Sequence, residues 1–159
     1  TTLFRSDILN DKCETLDIRG VAHKGFFASI TDFPSYYAAN MALLNYKSAQ
    51  ELFHDNWPIY TRTNDSCPTQ YFNTADVKNS VISNGCQIEG TVENSVIGRG
   101  CVIKKGAVVR NSVVLAEVTV GEGVHVENEV VDKWANLIHK KEIVSPAEQP
   151  GYIRRNDTL

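Results

Sequence analysis

The sequence predicts a parallel β-helix built from six-residue repeats, preceded by a shorter segment of strand and helix. Four tripeptides, Asn79-Ser80-Val81, Asn94-Ser95-Val96, Asn111-Ser112-Val113 and Asn128-Glu129-Val130, recur at spacings of 15, 17 and 17 residues. One structural unit therefore repeats, and each copy is too short to fold alone. Within the units Ile97, Cys101, Ile103, Ala107, Val109 and Val113 follow alternating steps of four and two, and the rhythm resumes at Val114, Val118, Val120, Val124, Val126 and Val130. A period of six fits neither the 3.6-residue turn of a helix nor the unbroken alternation of a long strand. It fits a short strand, a turn and the next short strand, three to a coil, with aliphatic side chains stacked inside. An antiparallel barrel of valine-rich strands is the alternative, but its turn signals would fall roughly every 8 to 12 residues with no longer period.

Taken in order, residues 1–54 form the first part of the chain. Leu16-Asp17-Ile18 and Phe26-Phe27-Ala28-Ser29-Ile30 read as short strands punctuated by Gly20 and Gly25, with too few apolar residues to close a core. From Pro34 to about Phe53 the pattern is helical: Asp32 is placed as N-cap, and Tyr36, Tyr37, Met41, Leu44, Leu52 and Phe53 recur at helical offsets as a packing stripe. Residues 55–159 form the second part. Pro58, Asn64, Asp65, Ser66 and Pro68 mark a crossing segment, the β-helix begins near Tyr71 and fades after Ala135, and Ser145 to Leu159 reads as a cap or tail. Cys86, Cys101 and Ala107 supply small inner side chains, while Gly85, Gly98, Gly100, Gly106, Gly121 and Gly123 supply positive φ at turns.

Composition narrows the function. A net charge of −3 over 159 residues argues against a nucleic-acid or anionic-membrane surface. No apolar run approaches the roughly 18 residues needed to cross a bilayer, so a soluble cytoplasmic protein is expected. Cys13, Cys67, Cys86 and Cys101 contain no C-x-x-C pair, and His23, His54, His125 and His139 show no metal-ligand spacing. The basic residues of the repeats, Lys104 and Lys105 with Arg99 and Arg110 beside them, are the candidates for an anionic effector, and Arg62 in the crossing segment is a second. Such a group is more often simply a solvated face.

Gly25 to Asn40, read as GFFASITDFPSYYAAN, then NWPIYT at Asn56 to Thr61, then the hexapeptide coils, together resemble the C-terminal part of bacterial glucose-1-phosphate adenylyltransferases (ADP-glucose pyrophosphorylases), and most of all their D-type, non-catalytic subunit. The resemblance implies a longer protein. In it an α/β nucleotidyltransferase domain, of which residues 1–54 would be the end, precedes a left-handed β-helix that assembles subunits into a hetero-oligomer, a tetramer, and takes part in control by metabolites. It also implies ADP-glucose synthesis from ATP and glucose 1-phosphate in glycogen biosynthesis. In catalytic members the stretch matching Gly25 to Asp32 carries an Asp that helps to bind magnesium; here that position is Ser29. Magnesium prefers anionic oxygen ligands, and a neutral hydroxyl is a weaker one. Losing one such electrostatic group costs roughly 3 to 4 kcal/mol, about 10²- to 10³-fold in rate. The expectation is a non-catalytic chain without a cofactor of its own, with Mg²⁺ in its catalytic partner. Asp32, three residues on, is the alternative carboxylate.

Three rivals are weighed beside this one. A hexapeptide acyltransferase would use a histidine such as His125, which should point outward, as general base at a subunit seam; coils of 15 to 17 residues leave no inserted loop for an acceptor pocket. A zinc hydratase needs three histidines on successive coils, where only His125 and His139 lie near. The last is the catalytic subunit itself.

Overall fold

Among the residues described by the computed structural model, 9–53, 58–61, 63 and 65–159, fifteen strands of two or three residues form three parallel five-stranded sheets. The first sheet contains β1 (Gln70–Tyr71), β4 (Gln87–Ile88), β7 (Val102–Ile103), β10 (Thr119–Val120) and β13 (Asn136–Leu137). The second contains β2 (Asp76–Lys78), β5 (Thr91–Glu93), β8 (Val108–Arg110), β11 (His125–Glu127) and β14 (Glu142–Val144). The third contains β3 (Val81–Ile82), β6 (Val96–Ile97), β9 (Val113–Val114), β12 (Glu129–Val131) and β15 (Gly151–Ile153). The chain visits the sheets in turn, so every strand pairs with its equivalent one coil earlier and one coil later, and the fold is the expected β-helix.

Strand alternation sends one residue of each strand inward. Ile88, Val92, Ile97, Cys101, Ile103, Ala107, Val109, Val114, Val118, Val120, Val124, Val126, Val131, Ala135 and Leu137 join in one buried core. Each fully buried aliphatic contributes about 1.5–3 kcal/mol. The spacing of 15 rather than 17 has a local cause. Only Glu89 and Gly90 separate β4 from β5, whereas Lys104 to Ala107 separate β7 from β8. The shorter turn requires glycine, because a Cβ on Gly90 would lie 2.5 Å from the Ala107 carbonyl oxygen and 2.8 Å from that of Lys104.

The repeated tripeptide acquires a physical meaning. Asn79, Asn94, Asn111 and Asn128 turn the corner between the second and third sheets at φ of 43, 47, 44 and 57°, the left-handed region that asparagine tolerates better than other non-glycine residues. The serines that follow form a ladder: Ser80 Oγ accepts the Ser95 N–H at 3.1 Å, Ser95 Oγ that of Ser112 at 3.1 Å, and Ser112 Oγ that of Glu129 at 3.1 Å. Each hydroxyl also donates to the carbonyl two residues before it, Lys78, Glu93 or Arg110. Buried polar groups are thus paired at every step.

Val113 and Val130 correct the inward count. They pair in register with Val96, whose neighbour Ile97 is in the core, so they face outward; the inward residues are Val114 and Val131. The inner rhythm therefore takes a step of five at this corner. Val113 and Val130 are nonetheless buried, because a helix lies over this sheet. Gly98 and Gly121 lack positive φ; they are needed because a Cβ would approach the neighbouring coil's backbone at 2.7 and 2.9 Å.

The solenoid also runs further than the periodicity suggests. Past Ala135, β13, β14 and β15 continue the three sheets, Asn136 pairs with Thr158, and Leu159 packs on the core. Part of the tail is therefore a strand of the last coil. Its pattern is hard to see because Gly151 stands at the serine-ladder position, in register with Glu129, and Ser145 to Pro150 lengthen the connection from β14 to β15.

In the first part, the helical stretch is two helices. α1 (Phe33–Ala42) starts at the N-cap Asp32, and α2 (Tyr46–Leu52) starts at the N-cap Asn45, whose side chain accepts the Lys47 N–H. The N–H groups of Leu43 and Leu44 bond back to the Asn40 and Met41 carbonyls, tightening the end of α1 before the chain turns. α1 lies on β9: Tyr37 Oη donates to the Asn111 carbonyl at 2.5 Å, and Phe33 meets Tyr152 edge-on at 5.8 Å. Leu16–Ile18 and Phe26–Ile30 are not strands. A strand needs a paired edge for its backbone groups, and none of the described residues offers one here.

Candidate functional site

Ser29 and Asp32 sit at the entry to α1. Ser29 is exposed, and its neighbours Ala28 and Ile30 line a cavity that Ser29 itself does not. Asp32 forms a capping box: Oδ1 accepts the Ser35 N–H at 2.8 Å, and Ser35 Oγ accepts the Asp32 N–H at 3.1 Å. These bonds to Ser35 hold the Asp32 carboxyl below its usual range. The carboxylate caps the helix terminus through Oδ1, where a negative group is favoured.

The cavity, about 740 Å³, lies between the 23–30 segment and the two helices. Phe26, Ile30, Leu43, Leu52 and Ile59 make it largely apolar, and His23, Asn40 and Glu51 add polar groups. Nothing in the periodicity pointed to it, since it is formed by residues from four separate stretches. His23 Nε2 is already 3.1 Å from the Phe26 carbonyl oxygen.

The basic residues singled out from the sequence are not brought together. Arg99 lies in the turn between β6 and β7, Lys104 and Lys105 in the turn between β7 and β8, and Arg110 at the end of β8 before the turn to β9. These are three successive corners of one coil, which point in three directions. Arg110 Nε is moreover 3.2 Å from Glu93 Oε2. A coil of six-residue steps distributes adjacent stretches around the prism, so closeness in sequence does not give convergence. Arg62 lies outside the described residues.

His125 does face outward, beside the inward Val126, and its Nε2 is 3.1 Å from Glu127 Oε2. Cys86 and Cys101 are buried core residues whose thiols donate to the Gly98 and Leu115 carbonyls at 3.0 and 3.1 Å. Contact with Cys86 and burial together raise the Cys101 pKa, which suits packing rather than nucleophilic chemistry. Among the described residues, no three of His, Cys, Asp and Glu are grouped as metal ligands, and no helix is long and apolar enough to cross a membrane.

One buried charge escaped the sequence reading. Glu129 takes the serine position in the fourth tripeptide and accepts from Ser145 Oγ at 2.5 Å; burial raises its pKa. It fills the space over Gly151, where a Cβ would collide with its carboxylate. The replacement of Ser by Glu in an otherwise regular column was the available signal.

Comparison with known proteins agrees with the architecture. The family described as GlmU-like, C-terminal hexapeptide, matches residues 68–149. A glucose-1-phosphate adenylyltransferase of Fervidobacterium nodosum is 34% identical over 128 residues, 80% of this chain and 31% of that protein. The glycogen biosynthesis protein GlgD of Bacillus subtilis is 31% identical over 149 residues, 94% of this chain and 43% of that protein. The GlgD of Geobacillus stearothermophilus is 45% identical over 71 residues, 45% of this chain and 21% of that protein. The chain thus spans less than half the length of these relatives.

Proposed function

Because the chain belongs to the GlmU-like C-terminal hexapeptide family and is homologous to glucose-1-phosphate adenylyltransferases and GlgD, we propose that it is the assembly and regulatory part of a non-catalytic subunit in glycogen biosynthesis. Its role is to join the catalytic subunit in a hetero-oligomer in the cytoplasm and to modulate ADP-glucose formation from ATP and glucose 1-phosphate. The observation that carries the reading is the pair Ser29 and Asp32. Ser29 offers a neutral oxygen where the resemblance places a metal-binding carboxylate, and the nearest acid on the chain caps α1 instead. On this reading a neutral hydroxyl and a carboxylate that already caps a helix make this position a poor magnesium site. Mg²⁺ belongs, on this reading, to the catalytic partner.

Pyrophosphate release from ATP and glucose 1-phosphate tests this, using the longer protein that carries this segment, alone and mixed with its catalytic subunit. The expected result is silence alone and a changed rate or activator response in the mixture. Turnover at ordinary rates without the partner overturns the proposal.

A further inference from the structure

One corner of the solenoid holds a tryptophan in a conformation that earlier coils give to glycine. Between the third sheet and the first, the N–H groups of Gly85, Gly100, Glu117, Trp134 and Asn156 each donate to a carbonyl one coil earlier, so these residues stack in a column. Their φ angles are 79, 66, 61, 60 and 64°. Glycine adopts this region freely and asparagine with little strain, but a bulky side chain there is an outlier, and such strain gathers where ligands are held. Packing does not explain it, because the buried residue of the corner is Ala135, while Trp134 stays 42% exposed. The Arg155 guanidinium lies 4.1 Å from the centre of the indole and fixes its plane. Asp132 is held beside it: Oδ1 accepts the Lys133 N–H at 2.7 Å, and Oδ2 accepts the hydroxyl of Tyr152, itself half exposed, at 2.8 Å.

An exposed indole with a fixed plane and a carboxylate with spare lone pairs are what a sugar needs. The C–H face of a pyranose ring is slightly positive and lies on the negative face of the indole, while its hydroxyls donate to the carboxylate. Charge decides the kind of sugar. Lys133, Arg154 and Arg155 are matched by Glu117, Asp132 and Asp157, so the corner has no net field with which to hold a phosphate. We infer that this corner binds a neutral chain of glucose, with Trp134 as the stacking platform, Asp132 as hydroxyl acceptor and Arg155 as the group that positions the ring. One platform binds such a chain weakly, and a branched polymer that offers many chain ends to an oligomer gains by avidity. The choice of glucose rests on the reading above, in which the protein serves glycogen biosynthesis; the stacking site rests on the geometry alone.

Native electrophoresis of the longer protein that carries this segment, through gels with and without glycogen, tests the inference, with maltoheptaose and inorganic phosphate as competitors. Wild type is expected to be retarded by glycogen, released by maltoheptaose and unaffected by phosphate at equal ionic strength. Trp134→Gly, which suits the positive φ, should weaken binding by roughly tenfold or more. Trp134→Phe keeps an aromatic face and should retain most of the retardation. Circular dichroism establishes that the variants fold; if Trp134→Gly does not, Trp134→Asn takes its place, as Asn156 does one coil later. The inference is overturned by mobility indifferent to glycogen, by retardation that survives Trp134→Gly, by a loss that Trp134→Phe shares in full, or by release with phosphate and not with maltoheptaose. The outcome is separable from the pyrophosphate assay. A protein that modulates its catalytic partner but ignores glycogen refutes this inference alone, and one that binds glycogen yet turns over both substrates unaided refutes only the non-catalytic reading.

Discussion

Val126 and Val21 carry the same side chain; the first is fully buried and the second 94% exposed. Ile103 is fully buried, while Ile30 and Phe27 are 58 and 78% exposed. The difference lies in backbone pairing rather than in hydrophobicity. In the coils every strand has an equivalent neighbour at fixed register, so each inward side chain stacks on another of similar volume. Between residues 9 and 32 no strand forms, and apolar residues have only local neighbours and the two helices. Apolar side chains make a core only where their backbone is already satisfied.

The largest test of this contrast pairs Ile103→Ala with Phe27→Ala. The first empties a site in a close-packed column and should cost about 2–5 kcal/mol; the second, at an exposed position, should stay within about 0.5 kcal/mol. Urea unfolding followed by circular dichroism measures both, and equal effects would show that the first part is as well packed as the coils. Next comes the serine ladder. Ser112→Ala leaves the Glu129 N–H without its acceptor, while the Arg110 carbonyl keeps the Asn128 N–H, a loss of about 1–3 kcal/mol in the same assay. Asp32→Ala removes the cap of α1, and hydrogen exchange should speed up in the first turn of that helix while the strand amides stay protected. Uniform acceleration would mean that helix and coils unfold as one unit.

The smallest effect concerns pH. Burial raises the Glu129 pKa above its ordinary 4.5, so the folded state holds this proton more tightly than the unfolded state. The contribution to stability is full below the ordinary value and is lost as pH rises through the raised one. Glu129→Gln should therefore flatten that part of the stability profile, as thermal melts across the window would record. An unchanged slope would assign the pH dependence to other groups.

Much of the fold was legible because a β-helix is quasi-one-dimensional: each inner residue meets its equivalent one coil away, so the contact pattern is written as a period. Cys86, Cys101 and Ala107 were correctly placed inside on that basis. The end of the solenoid was not, since β13 to β15 keep the pairing while losing the aliphatic rhythm. The candidate site was less legible still. Arg99, Lys104, Lys105 and Arg110 are near in sequence, yet the corners between them turn their side chains apart. His23, Asn40, Glu51 and Ile59 are distant in sequence, yet share one cavity.

By itself the sequence determined the coil, its apolar interior and the cap at Asp32, because each rests on residue type at a fixed local spacing. Only the tertiary structure decided that Val113 and Val130 lie beneath α1 rather than in the core, and that His23, Asn40, Glu51 and Ile59 share one cavity. Those facts depend on which face a residue presents and what lies across from it. A one-residue difference at the asparagine corner reverses that face, and a period averaged over many coils does not register the change.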